Sequence, residues 1–573
     1  MREFTRRQFL MYSTAAGAAG AAGLLMPWAV KFPSARAAMG GSLTRYIEPL
    51  PVPGAGIVVA KAQSVKNGVT KYAFTQTQIS RQLHPQLPPT PFWAYDDGSG
   101  LAGQAGSFGM AVVAQTGSPV AVDYTNRLPQ TYPAWIPVDT RLTPLGNQVR
   151  LMTHLHGAFV AADSDGNPAI TPNGFGFGQT QSVYYPNQGP QNAATLLWFH
   201  DHGMGTTRLN VFAGLAAAYL IRDQYDTGDA SNANGLPYGP YEIPLVVQDR
   251  QFNADGTFRY PTSDIPGVTW IGEYFGDTML VNGKVWPYLN VQPRLYRFRI
   301  LNGCNARIIN LDIAGARMWQ IGAEGGMWDQ AVPVSRLVMA PAERADVLVD
   351  FSHAAGMTIQ LKNTKPPIPV SNPAPPLAQV MEIRVAATTP MSPNVPDTLI
   401  GGRRAILSGP TKKRFITLNE VGAETAGWFL TLNGAHFMDD PLTETPRVGS
   451  VEDWYYINLT GDTHPMHTHL VTFQVVGRVP FDADAYADAV GSGPGGVPGG
   501  VDPSPYATGP MIPADSTERG FKDTVKANPG YFTIIRAKFE LPSGVHAPQR
   551  YVHHCHIVEH EDNDMMRPYD IVR

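Results

Sequence analysis

His554-Cys555-His556-Ile557-Val558-Glu559-His560-Glu561-Asp562, followed by Met565-Met566, is the most informative run in the chain. On extended backbone successive side chains alternate, so Cys555 faces away from His554 and His556. It then meets His560 and Met565, five and ten residues further on, with His464 supplied from another strand. Two imidazoles, one thiolate and a distant thioether form the donor set of a blue electron-transfer copper. The bland alternative, a buried thiol beside a core methionine, leaves the histidine on each flank of Cys555 unexplained. The second cysteine, Cys304, has no ligand type near it and is expected to be a small buried thiol.

Working outward, His554 and His556 form one of four H-x-H pairs. The others are His154-Leu155-His156-Gly157, His200-Asp201-His202, and His467-Thr468-His469 within His464-Pro465-Met466-His467-Thr468-His469. Ten of the 15 histidines lie in these motifs. Residues i and i+2 of a strand share a face, and imidazole is the commonest nitrogen ligand of copper, zinc and iron. One pair arises by chance, but four imply several metal ions. A zinc hydrolase of the H-x-H-x-D-H type is excluded, because Gly157-Ala158-Phe159 follows His156. His84, His353, His436, His546 and His553 are scattered or merely adjacent and are expected to be structural.

The rest of the sequence agrees with a strand-built scaffold. Of 573 residues, 57 are Gly and 51 Pro, while only 16% are charged, which disfavours long solvated helices. Short apolar or alternating runs at 111–113, 120–124, 195–199, 295–300, 380–385 and 531–535 predict strands. Turn-rich stretches at 226–241 and 365–397 divide the chain, giving an all-β protein with domains at 38–225, 226–395 and 396–573. A Gly/Pro-rich segment, 491–513, is expected to be a long surface loop lining a pocket beside His560. With 43 Lys+Arg against 47 Asp+Glu and no basic block past the N-terminus, nucleic acid is not an expected partner.

The N-terminus carries Thr5-Arg6-Arg7-Gln8-Phe9-Leu10, a Gly/Ala-rich apolar stretch, and Ala35-Arg36-Ala37 before Ala38. The pattern resembles a twin-arginine export signal spanning 1–37. It predicts handling by the twin-arginine machinery and a periplasmic or secreted protein that is not membrane-embedded.

The four histidine motifs, in this order along the chain, resemble those of the multicopper oxidases. The tail from His554 to Pro568, Ala340-Pro341-Ala342-Glu343-Arg344 and Pro480-Phe481-Asp482 are similar to the spore-coat-type laccases of bacteria. The resemblance implies three cupredoxin-like Greek-key β-sandwiches and four coppers. His464, Cys555 and His560, with Met565 axial, would hold a type 1 copper close to the surface. His154 and His467 would hold a type 2 copper. His156, His200, His202, His469, His554 and His556 would hold a type 3 pair. It further implies oxidation of phenols or aromatic amines coupled to reduction of O2, with Glu561 and Asp165 delivering protons. Bilirubin-oxidase-like, phenoxazinone-synthase-like and Cu(I) or Mn(II) oxidase readings share the same copper sites. A metal-free cupredoxin-fold binding protein is the alternative from a different class, opposed by the intact ligand inventory.

Overall fold

The computed structural model describes residues 42–573 except 54–55, 58, 103–109, 189–192, 369–373, 375, 424–426, 440 and 491–499. The export-signal reading therefore lies outside the described residues. Strands account for 42% and helices for 7%, so the all-β reading holds. All six predicted strand runs lie in or overlap observed strands: Val112–Gln115, Val120–Asn126, Thr195–Asp201, Leu295–Asn302, Gln379–Val385 and Tyr531–Lys538. No helix of the described residues is long and apolar enough to cross a membrane.

Apart from a two-stranded ribbon near the start, the strands of the described residues form six sheets, two in each third of the chain. In the first third, Val69–Arg81 pairs in parallel with Val120–Asn126, and Thr195–Asp201 lies antiparallel to Thr153–His156 in the second sheet. The middle third holds a seven-stranded and a five-stranded sheet. In the last third, Val451–Asn458 and Tyr531–Lys538 centre one sheet, and His464–Thr468 lies between Thr524–Ala527 and Gln549–Cys555 in the other. The alternating burial of Val120–Asn126 shows a strand with one face on the core. Aromatic rings join the two sheets across that core: Phe199 lies 5.8 Å from Phe74 and 4.8 Å from Tyr95. Trp454 does the same in the last third, 5.5 Å from Tyr569.

Polar contacts tie the thirds together. The helix Thr207–Ala213 has no capping side chain of its own. Its first amides donate instead to Asp562, Thr207 N at 2.9 Å and Arg208 N at 3.0 Å, so the last third caps a helix of the first. The middle third reaches the same place through Trp270 Nε1, which donates to the Glu559 carbonyl at 2.9 Å, and Tyr260 Oη, which donates to the Glu559 carboxylate at 2.7 Å.

The described part of 491–513, residues 500–513, is mostly irregular and exposed, as expected of a surface loop. It contains a short turn of helix, Ser504–Tyr506, and an edge strand, Ile512–Pro513, paired with Phe473–Pro480. Tyr506 packs with Phe481 and Tyr486, in a cluster separate from the one containing Cys555. Apolar side chains thus anchor this segment to the sheet edge, a pull that Gly/Pro content does not reveal.

Arg222 of the first third joins Arg297 and Arg299 of the middle third in interleaving with Asp226, Glu242 and Asp346 in a buried network. Burial alone would raise the Glu242 pKa, but Arg299, Arg297 and Arg222 outweigh it and hold the carboxyl at about 2. A depressed folded pKa contributes stability above the unfolded value of about 4.5 and loses it as pH falls towards 2, here about 3 kcal/mol. Glu242→Gln is expected to flatten the fall in unfolding free energy across that window, measured by denaturant titration at each pH. An unchanged slope would remove Glu242 from the acid response.

Candidate metal centre

Strand register assembles the histidines. His154 stands opposite His200 in one antiparallel pair, and His467 stands opposite His554 in another. Each H-x-H pair turns both rings to one face, and the two ribbons meet between the first and last thirds. His154 stacks on His469 with ring centroids 3.9 Å apart, and His156 on His467 at 3.6 Å. With His200, His202, His554 and His556 they form one cluster in which no ring is more than 1% exposed.

Hydrogen bonds on the outer side of most of the rings fix which nitrogen faces inward. The Nδ1 atoms of His154, His200, His467 and His554 reach the carbonyls of Asp165 (2.5 Å), Asp201 (2.8 Å), Asp523 (2.7 Å) and Cys555 (3.0 Å). His469 Nδ1 reaches Asp165 Oδ2 at 2.7 Å. A carbonyl only accepts, so the proton sits on Nδ1 and Nε2 keeps its lone pair. His156 is reversed: Nε2 faces Asp523 Oδ1 at 3.0 Å and Nδ1 is left without a partner. His154 Nε2, His200 Nε2, His467 Nε2 and both His556 nitrogens are likewise unpartnered, although buried. Burial lowers the His200 pKa to about 4, so the ring is neutral near pH 7.

The clearest convergence joins His202, His469 and His554, whose Nε2 atoms form a triangle with edges of 3.2, 3.3 and 3.2 Å. Lone pairs so placed repel one another unless a cation lies among them. The centre of this triangle is about 1.9 Å from each corner, close to the ~2.0 Å bond of a metal to imidazole nitrogen. The residues therefore fit a metal.

A second group lies on the other face of the strand. Cys555 Sγ is 3.6 Å from His464 Nδ1 and 3.8 Å from His560 Nδ1, and the two nitrogens are 3.2 Å apart. Thr460 Oγ1 contacts the far nitrogen of His464 at 2.6 Å, and the Gly272 backbone pairs with His560. Burial lowers the His464 pKa to about 3 and raises the Cys555 thiol well above its usual value, so the thiolate form requires a cation beside it. A soft thiolate with two imidazoles suits copper. Met565 belongs to the same apolar cluster as Cys555, whereas Met566 packs with Phe437 and Val552 in another. His464, Cys555 and His560 are at most 1% exposed, and Val268, Trp270 and Phe275 of the middle third pack in the apolar cluster of Cys555.

Both sequence-selected acids touch ligand candidates. Besides His469, Asp165 bears on His154 through its backbone carbonyl, and burial raises its carboxyl pKa well above the usual range. Glu561 lies 3.2 Å from His202 Nδ1 and 3.1 Å from His554 Nδ1. Sequence reasoning missed Asp523, Thr460, Gly272 and Asp201. Asp201 accepts from the amides of Met152 and Gly203 and so shapes the His200–His202 turn, with burial raising its pKa to about 7. Its place inside an H-x-H motif was a usable signal; Asp523, far from any histidine in sequence, gave none. Cys304 is a buried free thiol with Sγ 3.7 Å from the Val247 carbonyl.

A family model described as multicopper oxidase matches residues 408–572. A laccase of Bacillus subtilis (strain 168) is 36% identical over 561 residues, covering 92% of this chain and 99% of that protein. The multicopper oxidase LPR1 homolog 5 of Oryza sativa subsp. japonica is 35% identical, covering 93% of this chain and 84% of its own length. The crystal structure of the McoA multicopper oxidase from the hyperthermophile Aquifex aeolicus superposes with a TM-score of 0.71 at 25% identity, covering 93% of this chain and all of that one. These full-length relationships agree with the ligand chemistry, and the chain belongs to the multicopper oxidases.

Proposed function

We propose that this laccase-like oxidase takes single electrons from phenols or aromatic amines and uses four of them, with four protons, to reduce O2 to two waters. The observation that carries this reading is the adjacency of the two groups. Cys555 faces one and its chain neighbours His554 and His556 face the other, so one strand links a one-electron site to a multi-metal site. Four coppers would account for the donors: one held by His464, Cys555 and His560 with Met565; one by His154 and His467; and a pair by His156, His200, His202, His469, His554 and His556. When bound, copper would supply one one-electron centre at the cysteine site and three at the histidine cluster, together matching the four electrons that O2 takes up.

The chain's own residues orient and exclude. Carbonyls of residues 165, 201, 523 and 555 hold Nδ1 protons outward, keeping Nε2 free. Residues around His560, including Gly272, keep bulk water from the cysteine site. Glu561, between His202 and His554, and Asp165, beside His469, are the carboxyl groups placed to deliver protons to the cluster. We take 38–225, 226–395 and 396–573 as the domains, because each sheet draws its strands from one of these ranges, and Arg6-Arg7 supports twin-arginine export to the periplasm or exterior.

The test is O2 uptake by copper-loaded protein across phenols, aromatic amines, bilirubin, Cu(I) and Mn(II), with absorbance recorded alongside. A blue protein that turns over phenols and aromatic amines fastest is expected, and Cys555→Ser should lose both colour and uptake. A colourless copper-replete protein, or turnover confined to metal ions, would overturn the reading.

Glu561→Gln keeps size and hydrogen-bonding capacity but cannot release a proton near neutral pH. Turnover is expected to fall about 10²-fold or more, in line with loss of a general acid, with copper content unchanged. Equal turnover across the pH range would relegate Glu561 to orienting the rings.

A further inference from the structure

Three segments remote in sequence meet at Asp523. Its backbone carbonyl accepts from His467 Nδ1 at 2.7 Å, and its Oδ1 lies 3.0 Å from His156 Nε2. The carboxylate is gripped by Arg344 of the middle third, Nη1 at 2.9 Å from Oδ1 and Nη2 at 2.5 Å from Oδ2. Arg344 is itself fixed. Its Nε donates to the Leu196 carbonyl of the first third at 3.1 Å, its Nη1 to the Ala342 carbonyl at 2.9 Å, and its amide to Glu324 at 2.8 Å. Both Arg344 and Asp523 side chains are at most 2% exposed.

Gly157, directly after His156, is shaped around this pair. It has φ +87°, and an added Cβ would lie 2.5 Å from Asp523 Oδ2 and 2.8 Å from Arg344 Nη2. The glycine of His154-Leu155-His156-Gly157 thus admits an ion pair to the back of the histidine cluster.

We propose that Arg344 is a positioning residue of the histidine cluster. Through Asp523 it holds His156 with Nδ1 turned inward and His467 with Nε2 turned inward. The middle third, which donates no proposed ligand, thereby sets the geometry of a site between the other two. Only a planar guanidinium meets both carboxylate oxygens while also holding the Leu196 and Ala342 carbonyls; an ammonium cannot reproduce that fork. The inference rests on the oxidase reading above.

The experiment follows copper retention in wild type, Arg344→Lys and Asp523→Asn during titration with a copper chelator. Total copper, the blue absorbance of the cysteine site and the copper spin-resonance signals are read separately. Outer hydrogen-bond partners of ligating histidines typically contribute 10- to 100-fold in metal affinity. Both variants are therefore expected to release histidine-cluster copper at about 10- to 100-fold lower chelator concentration, with the blue band retained. Copper retention equal to wild type in both variants, or parallel loss of the blue band, would overturn the positioning role. Thermal melting of metal-free protein separates misfolding from mispositioning, since a folded variant with intact copper retention counts against the inference. A wild-type chain that takes up no copper at the histidine cluster would overturn the oxidase reading itself.

Discussion

Lone pairs that converge in a buried site repel one another, and much of this molecule is arranged to hold them in that position. Three Nε2 atoms stand 3.2–3.3 Å apart in the His202, His469 and His554 triangle. Left to themselves such rings would flip, protonate or swing apart. Backbone carbonyls and buried carboxylates on the outer side of the rings prevent this by committing Nδ1 protons, and burial keeps His200, His202 and His469 neutral. The fold therefore carries a site that a cation relieves, and metal that binds only the folded chain stabilises it by mass action.

The rigidity this requires comes from how the thirds interlock. Ligand candidates come from the first and last thirds, while the middle third braces them from behind. Lys522, Lys526 and Arg478 interleave with Glu324, Glu343 and Glu518 beside the Arg344–Asp523 pair, all buried. Replacing such a network with apolar groups often costs nothing in stability, but removing one partner leaves a buried charge unpaired, at about 3–5 kcal/mol. Its value lies in register: each cation accepts a narrow set of neighbours, so the strand Thr524–Ala527 cannot slide relative to the middle third. On the opposite side, Asp562, Trp270 and Tyr260 fasten the segment that bears His560.

Legibility in the sequence followed the range of the interactions. The H-x-H motifs and Cys555 are local patterns whose geometry is set by strand alternation, so their residue types and spacing were enough to choose them. Separation of Met565 from Met566 was equally accessible, and the two do pack in different clusters. Asp523 and Arg344 act across 179 residues of sequence, and a lone Asp or an Arg in a strand carries no mark of such a partner. The cover over His560 was hidden for a different reason. Residues 253–277 are mostly irregular, and the contact to His560 comes from the Gly272 backbone, which composition does not reveal. The anchoring of residues 500–513 was hidden too, because Gly and Pro mark turns without saying what an embedded Tyr506 will pack against.

The most direct test of the account is anomalous X-ray scattering at the copper absorption edge from crystals of the copper-loaded protein. The account predicts a peak bounded by Cys555 Sγ, His464 Nδ1 and His560 Nδ1, and three more within the histidine cluster, one of them inside the His202, His469 and His554 triangle. Copper absent from that triangle, or a site there that scatters at the zinc edge alone, would contradict it.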